Sequence, residues 1–155
     1  MSFLLDTNVI SEWLKPRPNS GVVTWLARVD ENQTFLSVVT ITELRYGIER
    51  MAAGARRKLI DNWLEHELLG RFEGRVLPVD LAIADECGRL VARTEARGRP
   101  IEARDAFIAA TSEVYGMTLV TRNVSHFQPA AFASRGNQLS PPDASYHPGT
   151  IILQR

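Results

Sequence analysis

The sequence predicts an α/β fold with a mainly parallel central sheet flanked by helices. Three observations carry that expectation. Short apolar or β-branched runs alternate with stretches of helical spacing along the chain, as in parallel sheets whose strands are joined by crossover helices. The 155 residues suit one domain, and a chain of that size buries roughly two thirds of its unfolded surface without a disulfide or structural metal. No internal repeat and no linker interrupts the alternation.

The elements follow in order. Phe3–Leu5 is an apolar run that reads as a buried strand. A helical stretch over residues 9–14 is stopped by Pro16 and Pro18, which cannot donate within a helix. Residues 22–29 place Val22, Trp25, Leu26 and Val29 on one helical face. Residues 34–39 are β-branched and aromatic and read as the best strand. Thr42 looks like a helix start, with Leu44, Ile48 and Met51 on one face and Gly54 as the break. A longer helix over residues 55–69 carries Leu59, Trp63 and Leu64. Residues 76–79 read as a short strand, which Pro78 places at an edge or a strand end. Asp80 stands where an N-cap belongs, before a helix from Leu81 to about Ala96. Gly98, Arg99 and Pro100 make a loop. A helix over residues 103–115 ends at Gly116, a natural residue just past a helix end. Residues 117–121 form the last clear strand. Residues 1–133 are therefore expected to be the domain, and residues 134–155 a loop-rich tail with a small strand near 150–153.

Composition excludes several classes. No apolar run approaches the roughly 18 residues needed to span a bilayer, and the opening residues lack the basic start and long apolar region of a signal peptide. The lone Cys87 rules out an intramolecular disulfide and suits a reducing cytoplasm. The histidines His66, His126 and His147 have no zinc spacing. Eighteen acids balance eighteen bases, which disfavours a broad electrostatic nucleic-acid binder and leaves room for a local basic surface. There is no phosphate loop, dinucleotide fingerprint or Gly-x-Ser-x-Gly elbow. Asp6-Thr7-Asn8 has Asn where an aspartate-nucleophile phosphatase wants a second Asp.

Ligands of open α/β sheets bind beyond the carboxyl ends of the strands. Asp6 follows the first strand, Glu43 is expected in the first turn after the second, and Asn123 follows the last. Asp105 begins a crossover helix, which starts at the same edge. Each has an ordinary explanation alone: a turn former, a first-turn or capping acid, a helix-dipole acid, a turn residue. Their joint placement makes the case. Three carboxylates in one cleft repel one another, and a divalent cation removes the repulsion. Hard oxygen donors without sulfur favour Mg²⁺ or Mn²⁺, ions suited to phosphoryl chemistry. Asp80 is left out, because its N-cap role suffices. Arg45, Arg104 and Arg122 lie near these blocks in sequence and are candidates for guiding phosphates, whereas Arg50 reads as a solvated residue.

The segments Leu4–Glu12, Ser37–Ile48, Asp105–Thr111 and Leu119–Phe127 resemble, in order, four blocks of PIN-domain nucleases. The likeness is nearest to the VapC toxins and their FitB-like members. It implies a PIN-like three-layer fold and a Mg²⁺- or Mn²⁺-dependent endoribonuclease, the toxin of a type II toxin–antitoxin pair. Its implied partners are an RNA substrate and a cognate antitoxin, in a homodimer or toxin–antitoxin hetero-oligomer. On this resemblance Asp6, Glu43 and Asp105 match the metal-binding acids, and Asn123 the fourth catalytic position. Thr121 matches a nearby hydroxyl, and Asn8 a brace for Asp6, with helix capping as its other reading. An antitoxin arginine is expected to enter the acidic cleft. Leu59, Trp63 and Leu64 are candidates for a dimer surface or for the core. Two departures stand out: His126 occupies a place where many relatives carry an acid, and about 28 residues follow Phe127. The alternatives are a catalytically weak PIN-fold module that binds RNA or a partner, and a nuclease directed at DNA.

Overall fold

A computed structural model describes residues 1–134 and 150–152, with side chains through residue 130. Strand β1 (Phe3–Leu5) runs between β2 (Thr34–Ser37) and β4 (Thr118–Thr121), and β3 (Val76–Leu77) flanks β2. Strand β5 (Thr150–Ile152) adds to β4. Every pairing is parallel, with Phe3 opposite both Thr34 and Thr118. The carboxyl ends of the strands therefore share one edge.

Leu4 and Leu5 are both fully buried, yet they face different cores, because successive strand side chains point to opposite sides. Leu4 packs with Ile83 and Leu90 of α6 (Leu81–Ala96) and Ile108 of α7 (Ala103–Val114). Phe127 of α8 (Val124–Ser134) closes that side. Leu5 packs with Val9 and Ile10 of α1 (Thr7–Ile10), with Leu44 and Ile48 of α3 (Val38–Glu49), and with Leu64, Leu68 and Phe72. The result is a three-layer α/β arrangement, as expected. Each fully buried Leu or Phe contributes about 2 kcal/mol.

Several boundaries differ from the sequence expectation. β2 stops at Ser37, whose hydroxyl accepts the amide of Val39 at 3.1 Å. That cap starts α3 at Val38, four residues before Thr42, and overrides the strand preference of two valines. Glu43 thus sits in the second helical turn. The first helix begins at Thr7 because Asp6 caps it, and continues as a 3-10 turn over Ser11–Leu14. α2 (Ser20–Arg28) is capped by Asn19 and ends before Val29. The long helix runs from α4 (Ala55–Asn62) through a π-helical segment (Trp63–Leu68) into α5 (Leu69–Arg71). Within it Leu64 is core, 1% exposed, while Leu59 is 69% exposed. Helix α8 was not read in the sequence, where Pro129 masks it. Asp80 caps α6 through Ile83, and β3 is an edge strand. Of the tail, residues 135–149 and 153–155 lie outside the described residues. Among the described residues no helix is long and apolar enough to cross a membrane.

Candidate active site

Asp6 leaves β1 and caps α1. Its Oδ1 accepts the amide of Thr7 at 2.7 Å, and its Oδ2 accepts Asn8 Nδ2 and Thr121 Oγ1, each at 2.7 Å. The residue is only 5% exposed. All three donors are neutral, and no cation among the described residues lies within ion-pair distance of it. Burial pushes its pKa up to about 6; the Thr121 and Thr7 hydrogen bonds oppose the rise, and the charges of Glu43 and Asp105 add to it.

Thr121 is fully buried at the end of β4. Its hydroxyl donates to Asp6 and accepts from Asn8 Nδ2 at 3.1 Å and from the Asn123 amide at 3.0 Å. That uses its single donor and both lone pairs. Asn8 Oδ1 accepts the amide of Arg122 at 3.0 Å. Asn8 and Thr121 therefore tie the ends of β1 and β4 together and hold the rotamer of Asp6. Glu43 comes from α3, where the Thr7 hydroxyl donates to its Oε2. Asp105 sits in the first turn of α7, its side chain 15% exposed, with His126 Nδ1 at 3.4 Å from Oδ2. Burial raises the Asp105 pKa; His126 opposes that, and the charges of Glu102 and Glu43 reinforce it.

These groups line one cleft of about 540 Å³. Asp6, Glu43, Asp105, Asn123 and Asn8 are all on its wall, with Thr7, Ser11, Lys15, Glu102, Arg104 and His126. Among the described residues no three His, Cys, Asp or Glu side chains form a closed ligand group as placed. The donor chemistry nevertheless suits a hard dication. Four carboxylates, Asp6, Glu43, Glu102 and Asp105, line one space; Glu102 pairs with Arg104, two of the other three are disfavoured as anions, and Asp6 has no cation partner.

The arginines divide. Arg104 lines the cleft and pairs with Glu102 at 3.3 Å. Arg45 lies elsewhere, in a groove with Ile41, Tyr46, Leu64 and Leu69, and pairs with Asp61 at 2.6 Å and Glu65 at 3.1 Å. Arg122 contributes its amide to Asn8, but its guanidinium turns to the buried Glu12. Arg50 stacks on the exposed Tyr46 ring, 5.4 Å from its centre.

The PIN domain family model matches residues 3–132 of this chain. The chain belongs to the PIN domain family. It is 40% identical over 127 residues to a protein named VapC ribonuclease Y4jK from Sinorhizobium fredii, covering 82% of this chain and 91% of that one. It is 38% identical over 124 residues to Toxin FitB of Neisseria gonorrhoeae, covering 80% and 89%. The crystal structure of FitAcB from Neisseria gonorrhoeae superposes with a TM-score of 0.79 at 37% identity, covering 83% of this chain and 93% of that one.

The PIN domain match spans every cleft residue, and the chain beyond residue 132 lies outside it. Two contacts at this PIN cleft were not read from the sequence. Thr7 orients Glu43, a contact between residues 36 apart. Lys15 reaches the cleft wall from beyond α1, and Glu12 holds it there. The only local signal was Glu12 three residues before Lys15 in a helical stretch, a spacing that brings side chains together.

Proposed function

We propose that the chain is a Mg²⁺- or Mn²⁺-dependent endoribonuclease, the toxin of a toxin–antitoxin pair. The observation that carries this reading is the buried Asp6, which faces Glu43 and Asp105 across one cleft without a cation of its own. Its similarity to proteins named VapC ribonuclease and Toxin FitB supports the same reading. Asp6, Glu43 and Asp105 would hold the ion, which supplies phosphate neutralisation and an acidified water when bound.

The protein's own groups do the rest. Asn8 and Thr121 fix one oxygen of Asp6 and limit how its carboxylate turns. Thr7 fixes one oxygen of Glu43. Asn123 presents an exposed amide at the cleft, able to donate to a phosphate oxygen or accept from water. His126 partly offsets the Asp105 charge. We assign the nuclease to residues 1–133, the tail to residues 134–155, and the site of action to the cytoplasm. The partners in this reading are RNA, a cognate antitoxin and a second copy of the chain.

The test is cleavage of a structured RNA pool and of matched DNA, with Mn²⁺, with Mg²⁺ and with chelator, beside Asp6→Asn. Metal-dependent RNA cleavage absent from the variant is the expected result. Equal cleavage of DNA would redirect the reading to a general nuclease. No cleavage, together with no Mn²⁺-induced rise in melting temperature, would leave a binding module.

A further inference from the structure

A cleft lined by four carboxylates repels an RNA strand, and a chain of zero net charge offers no long-range attraction. Substrate binding then depends on local cations. Two of the three arginines near the site blocks are engaged away from the cleft. The basic side chains on its wall are Lys15, Arg104 and His126.

Glu12 decides between them. It is 1% exposed and accepts Lys15 Nζ at 2.6 Å on Oε1 and the Asn19 amide at 2.7 Å on Oε2. Arg122 Nη1 shares that Oε1. One carboxylate thus faces two cations, and the group keeps a surplus positive charge. Arg122 is 25% exposed and Lys15 46%, so the surplus surfaces mainly at Lys15. An ammonium has three donors, and one is given to Glu12. Arg104, by contrast, has Glu102 as a partner of equal and opposite charge and is half exposed. His126 leans on Asp105.

We propose that Lys15, held at the cleft wall by Glu12, binds a backbone phosphate of the RNA strand. The proposal rests on the ribonuclease reading, and its test separates the two. Binding of a short mixed-sequence single-stranded RNA with a fluorescent end is measured by anisotropy across a salt series, in an Asp6→Asn background that does not turn over. Lys15→Gln should weaken binding about five- to tenfold at low salt and reduce the log–log salt slope by about 0.7, the share of one phosphate contact on a single strand. Lys15→Arg should restore both. In the wild-type background Lys15→Gln should raise KM and leave kcat nearly unchanged, the mark of an interaction made equally in ground and transition states. Arg45→Gln, on another face, is the control and should change neither.

Unchanged affinity and slope in Lys15→Gln would overturn the contact while leaving wild-type cleavage, and so the ribonuclease reading, intact. A fall in kcat at constant KM would overturn it as well. A reduced slope in a protein that cleaves no RNA would support the contact and sink the ribonuclease reading. A lowered melting temperature in Lys15→Gln, with Lys15→Arg restoring stability but not the slope, would show that the lysine only braces Glu12.

Discussion

Asp6 and Glu12 lie six positions apart and are almost equally buried, at 5% and 1% exposed, yet they are treated in opposite ways. Glu12 has two cations and a backbone amide. Burial pushes its pKa up, but Lys15, the Asn19 amide and Arg122 outweigh burial and hold it below the usual glutamate range. Asp6 has three hydrogen bonds and no cation, and its pKa rises to about 6. The first arrangement completes a structure. The second leaves a charge to be met by something from outside, and carboxylates perturbed by burial in a cleft cluster at functional sites.

The largest effect that breaks this contrast is in catalysis. Asp6→Asn keeps the shape and removes the charge. RNA cleavage should fall by about 100-fold or more, since a metal-site electrostatic interaction is commonly worth several kcal/mol. Melting in chelator should change little, because the cost of burying an anion is gone while the new amide nitrogen must face one of the donors that the carboxylate accepts. A variant that melts much lower and cleaves normally would mean that Asp6 is a cap and nothing more. Glu12→Ala should do the reverse. It strands the Arg122 guanidinium, and loss of one partner from a buried pair costs about 3 kcal/mol. Urea denaturation would read that loss; unchanged stability would show that Arg122 finds water instead.

The two acids also tilt stability against pH in opposite senses. The Asp6 pKa is higher folded than its ordinary 3.8, so between about 6 and 3.8 the folded state holds more protons than the unfolded one. The Asp6 contribution therefore improves as pH falls through about 6, by at most about 3 kcal/mol. Glu12 has a lowered value, so its contribution is present above the ordinary glutamate range and is lost as pH falls below it. In chelator, acidification from pH about 7 to 5 should raise the melting temperature of wild type relative to that of Asp6→Asn. Parallel curves would remove the burial argument for Asp6. At neutral pH, Mn²⁺ at a hundred times its Kd should stabilise wild type by about 2.7 kcal/mol and leave Asp6→Asn unmoved.

Much of the site was legible because strand ends in a parallel sheet share an edge. Asp6, Glu43, Asp105 and Asn123 could be brought together from that rule alone, and the structure lines one cleft with all four. Asn8 as a brace was an expectation from the likeness to PIN-domain nucleases, with helix capping as its other reading; its Nδ2 donates to Asp6 Oδ2 at 2.7 Å. What was hidden depended on tertiary partners. Nothing local to Arg45 announces Asp61 and Glu65 from the next helix, and nothing local to Arg122 announces a glutamate 110 residues away. The start of α3 was missed for a different reason: one serine cap outweighed two β-branched residues. Pro129 concealed α8, although Phe127 and Ala130 bury against the sheet.

The smallest effect sharpens the comparison from the other side. Arg45 has three carboxylates within ion-pair distance, Asp61, Glu65 and Glu49, but all four side chains are between 35% and 56% exposed. Water screens such pairs, so each is worth a fraction of a kcal/mol. Arg45→Ala should lower stability by about 1 kcal/mol or less and leave RNA cleavage and its salt dependence unchanged. High salt should erase even that difference, since exposed pairs weaken as the Debye length shrinks. If cleavage instead fell with Arg45, the groove beside Tyr46 would have to carry part of the substrate. Number of charged partners would then matter more than their burial, against the lesson of Glu12, whose one carboxylate matters because it is out of water.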